Sequence, residues 1–215
     1  MTMQQLKGGV RPLYRAARNH LDRLSLKRRI AHAPRPLRLV IGAGRTSQPG
    51  WIATNIQQLN VLVPADWRRY FRGPTVDALL AEHVWEHLTL DEGLAAARLC
   101  FAYLRPGGYL RLAVPDGLHP DPAYREHVRP QGSGPGADDH KVLYTYRSLG
   151  ALLARAGFSV EALEYFDETG VFHHRPWEPD DGLIRRSLRY DPRNQDGRPT
   201  YTSLLVDARK GPAAS

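Results

Sequence analysis

Two histidines and a glutamate lie close together near the middle of the chain, in the stretch AEHVWEHLTL (81–90). His83, Glu86 and His87 have the spacing H-x-x-E-H, which in a continuous helix brings two imidazoles to one face beside a carboxylate and can bind zinc. Alternatively, the same residues end a strand of an α/β sheet, where side chains face a bound ligand. The elements on either side of the stretch distinguish these two interpretations.

The flanking sequence favours the strand end. The nearly apolar run 75–81 leads directly into His83, as a strand covered on both faces would. Thr89 and Glu92 form a capping box, which predicts that a helix starts only after His87. The helical pairing that zinc would need is then absent, so a zinc hydrolase is the least favoured interpretation and we predict no metal site.

Strand and helix patterns alternate along the rest of the chain. Short runs with strand composition are 37–41, 51–56, 109–114, 158–166 and 200–208. Helical spacing is found in 90–104 and 146–156, and Gly and Pro residues separate the elements. This alternation predicts an α/β fold, with a largely parallel sheet and helices on both faces.

Positive charge is concentrated at the start of the chain. The formal net charge is +8, and residues 1–38 alone hold ten Lys or Arg and one Asp. A stripe of Tyr14, Ala17, Leu21 and Leu24 predicts a short basic helix there. Such a helix could cap the domain, contact an anionic membrane through residues 11–30, bind nucleic acid or join two chains as a homodimer, and charge alone does not choose among these.

The composition predicts a soluble protein. Hydrophobic residues make up 42% of the chain, which is enough for a core. We find no apolar run of the ~20 residues that span a bilayer and no apolar signal segment, which predicts a cytoplasmic location. The prolines at 34 and 36 predict a linker, dividing the chain into a basic segment (1–36) and a domain (37–210). Cys100 lies among apolar residues, which favours a buried structural position.

Polar or glycine residues follow each predicted strand of the parallel part. Gly42-Ala43-Gly44 follows the first strand, and glycines there allow a sharp turn and a close approach of backbone N–H groups to a ligand. Asn55 ends the second strand, where a ribose is usually bound. Ser47 stands where a dinucleotide fingerprint has its third glycine, so a nicotinamide or flavin enzyme is disfavoured.

Four segments in this order resemble the class I, Rossmann-like S-adenosylmethionine-dependent methyltransferases, and in particular a group of small bacterial predicted methyltransferases. They are LRLVIGAGRTSQPGWIATNI, VDALLAEHVWEHLTLDEGLAAARLCFAYLRPGGYLRLAVPD, YTYRSLGALLARAGF and RRSLRYDPRNQDGRPTYTSLLVDARK. The resemblance implies a mostly parallel, seven-stranded, Rossmann-like sheet with an antiparallel last strand. It also implies S-adenosylmethionine as cofactor and S-adenosylhomocysteine as product.

The resemblance implies roles for individual residues. Gly42, Ala43 and Gly44 would line the methionine and ribose part of the cofactor, Asn55 would face the ribose hydroxyls, Asp66 would approach the adenine, and Glu82 and His83 would lie against the methionine and the reacting methyl. This chain departs from the family pattern in two ways. Asn55 replaces the usual acidic residue and loses its charge-assisted hydrogen bonds. Only about eight residues separate the first two strands, whereas a parallel crossover usually needs a dozen or more, so no helix follows the glycine turn.

The sequence predicts less about the methyl acceptor than about the cofactor. We expect a small molecule or glycan precursor, methylated on oxygen or nitrogen, with His140, His119 or His83 as the group that accepts its proton. The stretch 167–199 is expected to shape the acceptor pocket, and its arginines favour an anionic acceptor unless neighbouring acids pair with them. Two alternatives remain: a cofactor-binding protein with lost or altered activity, suggested by Asn55, and a nucleic-acid methyltransferase that uses the basic segment.

Overall fold

A computed structural model describes the backbone of residues 3–212 and the side-chain surroundings of residues 16–212. The strands are β1 (Arg38–Ile41), β2 (Ile52–Ala53), β3 (Val76–Glu82), β4 (Leu104–Pro115), β5 (Ser159–Phe166), β6 (Phe172–His174) and β7 (Ser203–Arg209). The α-helices are α1 (Met3–Ala31), α2 (Pro64–Tyr70), α3 (Leu90–Tyr103), α4 (Pro122–Val128) and α5 (Tyr146–Arg155). All seven strands form one sheet in the order β2-β1-β3-β4-β7-β5-β6.

The sheet is parallel on one side and antiparallel on the other. β1 pairs in parallel with β2 and β3, and β3 pairs in parallel with β4. The last strand, β7, lies antiparallel between β4 and β5, and β6 is antiparallel to β5. β1 to β5 therefore share one direction, which confirms the prediction of a seven-stranded, mostly parallel α/β sheet with an antiparallel last strand.

Helices cover one face of the sheet. Alternate strand residues such as Leu39, Leu79 and Leu110 point to this face, since side chains alternate along a strand. They pack in one buried cluster with residues of α2, α3 and α5, including Trp67 and Leu94. This cluster is the main core, and it fixes the strand ends relative to one another.

The other face is covered by irregular chain. Val40, Leu80 and Leu205 cluster there with Trp51 and Ile184, and no described helix residue belongs to this cluster. The expectation of helices on both faces is therefore wrong for this face. Two causes are visible: the segment between β1 and β2 contains no helix, and prolines recur between β6 and β7, where each would interrupt a helix.

A buried ion pair ties this irregular cover to the sheet. Arg111 of β4 and Asp207 of β7 form a bidentate pair, with distances of 2.7 Å from Nε to Oδ1 and 3.0 Å from Nη2 to Oδ2. The remaining guanidinium nitrogen, Nη1, donates to the carbonyls of Glu178 and Gly182. The segment after β6 is thereby held across the sheet.

The basic N-terminal helix is present and is longer than predicted. Its buried contact is made by Leu26, whereas Leu21 and Leu24 of the predicted stripe are 64% and 44% exposed. The side chain of Tyr14 lies outside the described residues. The stripe therefore does not cap the domain through Leu21 and Leu24, and these residues remain available to a partner.

The start of α3 follows the capping signal. Thr89 Oγ1 accepts from the Glu92 N–H, and the Glu92 carboxylate accepts from the Thr89 N–H, at 3.3 Å and 2.9 Å. The predicted capping box is thus confirmed. Residues Trp85–His87, ahead of it, form only a short 3-10 turn.

Replacing Thr89 with Ala should lower the free energy of unfolding by about 1 kcal/mol, because one N–H group of the first turn of α3 loses its acceptor. Equilibrium urea unfolding measures this change. Thr89→Ser keeps the hydroxyl and should unfold like the original chain. Equal stability of the Ala variant and the original chain would show that the cap contributes nothing.

Three elements were not predicted: α2, α4 and β6. α2 begins with Pro64 and buries Trp67, which stacks on Tyr103 at a ring-centroid distance of 5.1 Å. α2 has too few turns for a helical period to be visible in its sequence.

Within the described residues, no helix has the length and apolar character needed to cross a bilayer.

Candidate active site

The glycine turn after β1 depends on its glycines. Gly42 and Gly44 have φ values of +63° and +59°, in the left-handed region where side chains are strained. A Cβ atom on Gly42 would lie 2.6 Å from Cγ2 of Val84, so this position also has no room for one. The turn therefore brings the chain closer to the end of β3 than another residue would allow.

Asn55 holds the turn from the end of β2. Its Oδ1 accepts from the Gly44 N–H at 2.7 Å, and its Nδ2 donates to the Gly44 carbonyl at 3.1 Å. Ala43 N–H also donates to the Thr54 carbonyl at 2.9 Å. Both polar functions of the Asn55 side chain are thus bonded to the glycine turn, and a ribose hydroxyl would have to share or replace one of them.

The chain bends sharply where β3 ends. His83 has a φ of 55°, an uncommon value for a non-glycine residue, and its N–H donates to the Ala113 carbonyl at 2.8 Å. Its ring is held at both nitrogens: Nε2 lies 2.9 Å from Ser203 Oγ, and Nδ1 lies 2.8 Å from Glu86 Oε1. Such strained, tightly held conformations cluster at functional sites.

The glycine turn and the β3 end meet at one cavity. A space of about 180 Å³ is lined by Gly42, Ala43, Glu82 and His83. It opens at the carboxyl ends of β1 and β3, where ligands of parallel α/β sheets bind. The structure thus brings together four of the residues that the resemblance places at the cofactor, while Gly44 and Asn55 form the adjoining bonded pair.

A second cavity also includes Gly42 and His83 in its lining. Its volume is about 330 Å³, and its further lining includes Ile56, Asn60 and Val84. Asp66 does not line it. The buried Asp66 carboxylate instead accepts from the Asn60 N–H at 3.0 Å and pairs with Arg69 at 2.5 Å, so it positions the cavity wall from behind.

A third and larger cavity, of about 440 Å³, also includes His83 in its lining. Glu86, His87, His127 and His140 contribute to it, and it is lined on one side by residues 134–137. His83 therefore stands where all three cavities meet. A group bound at the glycine turn and a group in the large cavity would face each other across this histidine.

The three candidate proton acceptors are placed differently. His140 is 8% exposed, lines the large cavity, and its Nδ1 lies 2.7 Å from the Val128 carbonyl. His119 does not line any of these three cavities: it stacks on Tyr124 at 4.0 Å, and its Nδ1 accepts from the Asp121 N–H. Burial also lowers the pKa of His119. His119 thus lies away from these three cavities, because its ring packs on α4.

Glu86 is a buried carboxylate with 0% exposure. Burial raises the pKa of this carboxyl, but the charge and contact of His83 outweigh it and hold the pKa below its ordinary value. The sequence indicates Glu86 only through the H-x-x-E-H spacing, which does not predict its burial.

The segment between β6 and β7 lies over the first cavity. Arg186 N–H donates to Glu82 Oε1 at 2.8 Å, Arg185 Nη2 donates to the Ser47 carbonyl at 2.9 Å, and Leu183 N–H donates to Gln48 Oε1 at 2.9 Å. The first bond joins the segment to the end of β3, and the other two join it to the loop after the glycine turn. The sequence carried no signal for them, since two of the three bonds use a backbone N–H of this segment.

The arginines of this segment have different partners. Arg193 forms a bidentate pair with Asp191, whereas Arg186 lines both the first and the third cavity and makes no ion pair within the described residues. None of the ion pairs among these residues joins an arginine to Glu178, Asp180 or Asp181. Arg186 is therefore a cation available to a ligand.

Comparison with known proteins gives likenesses of structure only. No family model matches the chain, and no curated protein matches it. Solved structures that are similar include a SAM-dependent methyltransferase from Archaeoglobus fulgidus (16% identity, TM-score 0.49, covering 89% of this chain and 94% of that one). Another is the 1,6-didemethyltoxoflavin-N1-methyltransferase of Burkholderia thailandensis with bound 1,6-didemethyltoxoflavin and S-adenosylhomocysteine (17% identity, TM-score 0.46, covering 96% and 87%). At these identities and TM-scores, the likeness assigns neither a family nor an activity to this chain.

Proposed function

We propose that this chain is an S-adenosylmethionine-dependent methyltransferase that acts on oxygen or nitrogen of a small-molecule or glycan-precursor acceptor. The observation that carries the proposal is the meeting of Gly42, Ala43, Glu82 and His83 at one cavity. This cavity lies at the carboxyl ends of parallel strands, where ligands bind. The sequence resemblance assigns the same four residues to the cofactor.

The residues present fit the cofactor. Gly42 has no room for a Cβ atom, so the turn stays close to Val84, and two cavities share Gly42 and His83 in their linings. The 180 Å³ space would hold the methionine end, and the 330 Å³ space would hold the nucleoside. Asn55 would share its amide between Gly44 and the ribose, and Asp66 would act indirectly by fixing Asn60.

The acceptor would enter the 440 Å³ cavity. When bound, S-adenosylmethionine supplies a methyl group on a sulfonium, so the chain's task is alignment and exclusion of water. His83 and His140 line this cavity and are the side chains that could take up a proton from an acceptor hydroxyl or amine. Arg186 has no ion-pair partner among residues 16–212, and its guanidinium favours an acceptor with a carboxylate or phosphate.

Calorimetric titration with S-adenosylmethionine and S-adenosylhomocysteine tests the cofactor part of the proposal. We expect one binding site for each, followed by transfer of labelled methyl from S-adenosylmethionine to a component of a small-molecule extract. Binding without transfer to any extract would favour a cofactor-binding protein. Absence of binding would reject both.

Asn55→Ala should weaken S-adenosylhomocysteine binding by about tenfold. The glycine turn loses two hydrogen bonds that contribute roughly 1 kcal/mol each, and contacts with the bound ligand restore only part of that stabilisation. Calorimetry measures the dissociation constant. Gln57→Ala changes an exposed side chain of the same loop and should bind normally. An Asn55→Ala variant with unchanged affinity would mean that the turn needs no such support.

Peripheral membrane contact through residues 11–30 is a further part of the proposal. The exposed Leu21 and Leu24 lie on the same basic helix as several Lys and Arg residues, a combination that suits an anionic lipid surface.

A further inference from the structure

Three possible metal ligands meet in the wall of the 440 Å³ cavity. Glu86, His87 and His140 each offer one ligand atom, and these atoms all lie within 4.8 Å of one another. Glu86 and His140 are buried, and His87 is partly buried. The three residues come from two segments that backbone hydrogen bonds join: the Lys141 and Val142 N–H groups both donate to the Glu86 carbonyl, at 2.7 Å and 3.2 Å.

Glu86 lacks the partners that a buried carboxylate requires. Its side chain is fully buried, and its one ion-pair contact among the described residues is with His83, at Oε1. Neither Oε1 nor Oε2 accepts a hydrogen bond there, and no Lys or Arg pairs with this carboxylate. A buried charge is costly unless it is paired or bound to a metal, so this carboxylate is suited to a cation.

The neighbouring groups hold two of the ligands in a suitable orientation. The contact of His140 Nδ1 with the Val128 carbonyl fixes the proton on Nδ1 and leaves Nε2 as the free lone pair. His83 Nδ1 lies 2.8 Å from Glu86 Oε1 and contacts the carboxylate on that side. Metal-binding histidines usually make a second hydrogen bond like that of His140, which orients them toward the ion.

We propose that Glu86, His87 and His140 bind a divalent first-row transition-metal ion, with Zn²⁺ as the ion that the ligand set fits best. Two histidines and one carboxylate with an open fourth position are a known catalytic zinc arrangement. Tetrahedral ligands at about 2.1 Å from zinc lie roughly 3.4 Å apart, so small side-chain rotations would close the cluster. The inference goes beyond methyl transfer and does not rest on it.

This site is not the one that H-x-x-E-H suggests. His83 and His87 do not share a helical face, because His83 lies in the bend after β3 and its ring is held by Ser203 and Glu86. The third ligand comes instead from His140, more than fifty residues later in the sequence. An ion here would present its open position to the 440 Å³ cavity, where it could bind an acceptor oxygen and lower its pKa.

The test uses full-length protein freed of metal with a chelator and titrated with Zn²⁺ in the absence of any nucleoside. We expect one Zn²⁺ per chain, and one Co²⁺ with visible absorption bands of a four- or five-coordinate site. Glu86→Gln and His140→Gln should each weaken Zn²⁺ binding by more than about 100-fold, since removal of a ligand should exceed the usual effect of its supporting groups.

His127→Gln is the matched control, because His127 lines the same cavity outside the cluster. It should bind Zn²⁺ like the original chain. Metal-free Glu86→Gln should melt no lower than the metal-free original, which shows that the variant is folded. Failure of the original chain to bind Zn²⁺, or normal binding by both ligand variants, would overturn the site. A separate S-adenosylhomocysteine titration reports on the proposed methyltransferase independently.

Discussion

Gly44→Val is expected to weaken S-adenosylhomocysteine binding by at least about 100-fold, or roughly 2.7 kcal/mol. Gly44 has a φ of +59°, which a β-branched side chain adopts only under strain. A Cβ there meets no atom within 4 Å, so the protein has room for the side chain, which would project into the space beside the glycine turn. The expected loss is therefore of ligand binding rather than of folding, and calorimetric titration measures it.

Gly107→Val provides the matched control. Gly107 has a φ of +78°, a Cβ there also meets no atom within 4 Å, and it lies near the start of β4, at the opposite end of the sheet. Both variants carry a similar backbone strain, but Gly107→Val should bind the nucleoside normally. Equal affinities of the two variants would remove the glycine turn from the proposed cofactor site.

Asp207→Ala should lower the free energy of unfolding by about 3–5 kcal/mol, the usual cost of leaving one member of a buried ion pair without its partner. Asp207 is 2% exposed, and the guanidinium of Arg111 would remain buried between the sheet and Trp177, 5.1 Å from the ring centroid. Equilibrium unfolding in urea or guanidinium chloride measures the change.

Two further variants serve as controls for Asp207→Ala. Glu161 lies on β5 beside Asp207 of β7 and forms an exposed ion pair with Arg175. Glu161→Ala removes this pair and should lower the free energy of unfolding by less than about 1 kcal/mol. The double variant Arg111→Met with Asp207→Leu should recover most of the lost stability, because no buried charge remains. A loss below about 1 kcal/mol in Asp207→Ala would contradict the assigned role of the pair.

The parallel half of the fold could be predicted because its signals are local. Apolar runs ending at Gly42 and Glu82 correspond to strands buried on both faces, and the Thr89 cap defines where α3 begins. The cover of the second face could not be predicted. It depends on long-range bonds such as those of Arg111 to the Glu178 and Gly182 carbonyls, which have no periodic signature in the sequence.

The position of the candidate site could be predicted from the sequence, but the placement of its individual histidines could not. Gly42 and His83 follow adjacent strands, so their meeting follows from the rule that ligands bind at the carboxyl ends of parallel strands. His119 and His140 lie on either side of α4 in the segment between β4 and α5, and the packing of α4 decides that His119 stacks on Tyr124 while His140 reaches Glu86. Spacing in the sequence could not separate the two.

The crystal structure of the chain with S-adenosylhomocysteine is the most direct test that the glycine turn and the end of β3 form one cofactor site. We expect the ligand to lie against residues 42–44 and His83, with its sulfur facing the cavity that His140 lines. A ligand bound elsewhere, or no bound ligand at a concentration far above that of the protein, would contradict the proposed function.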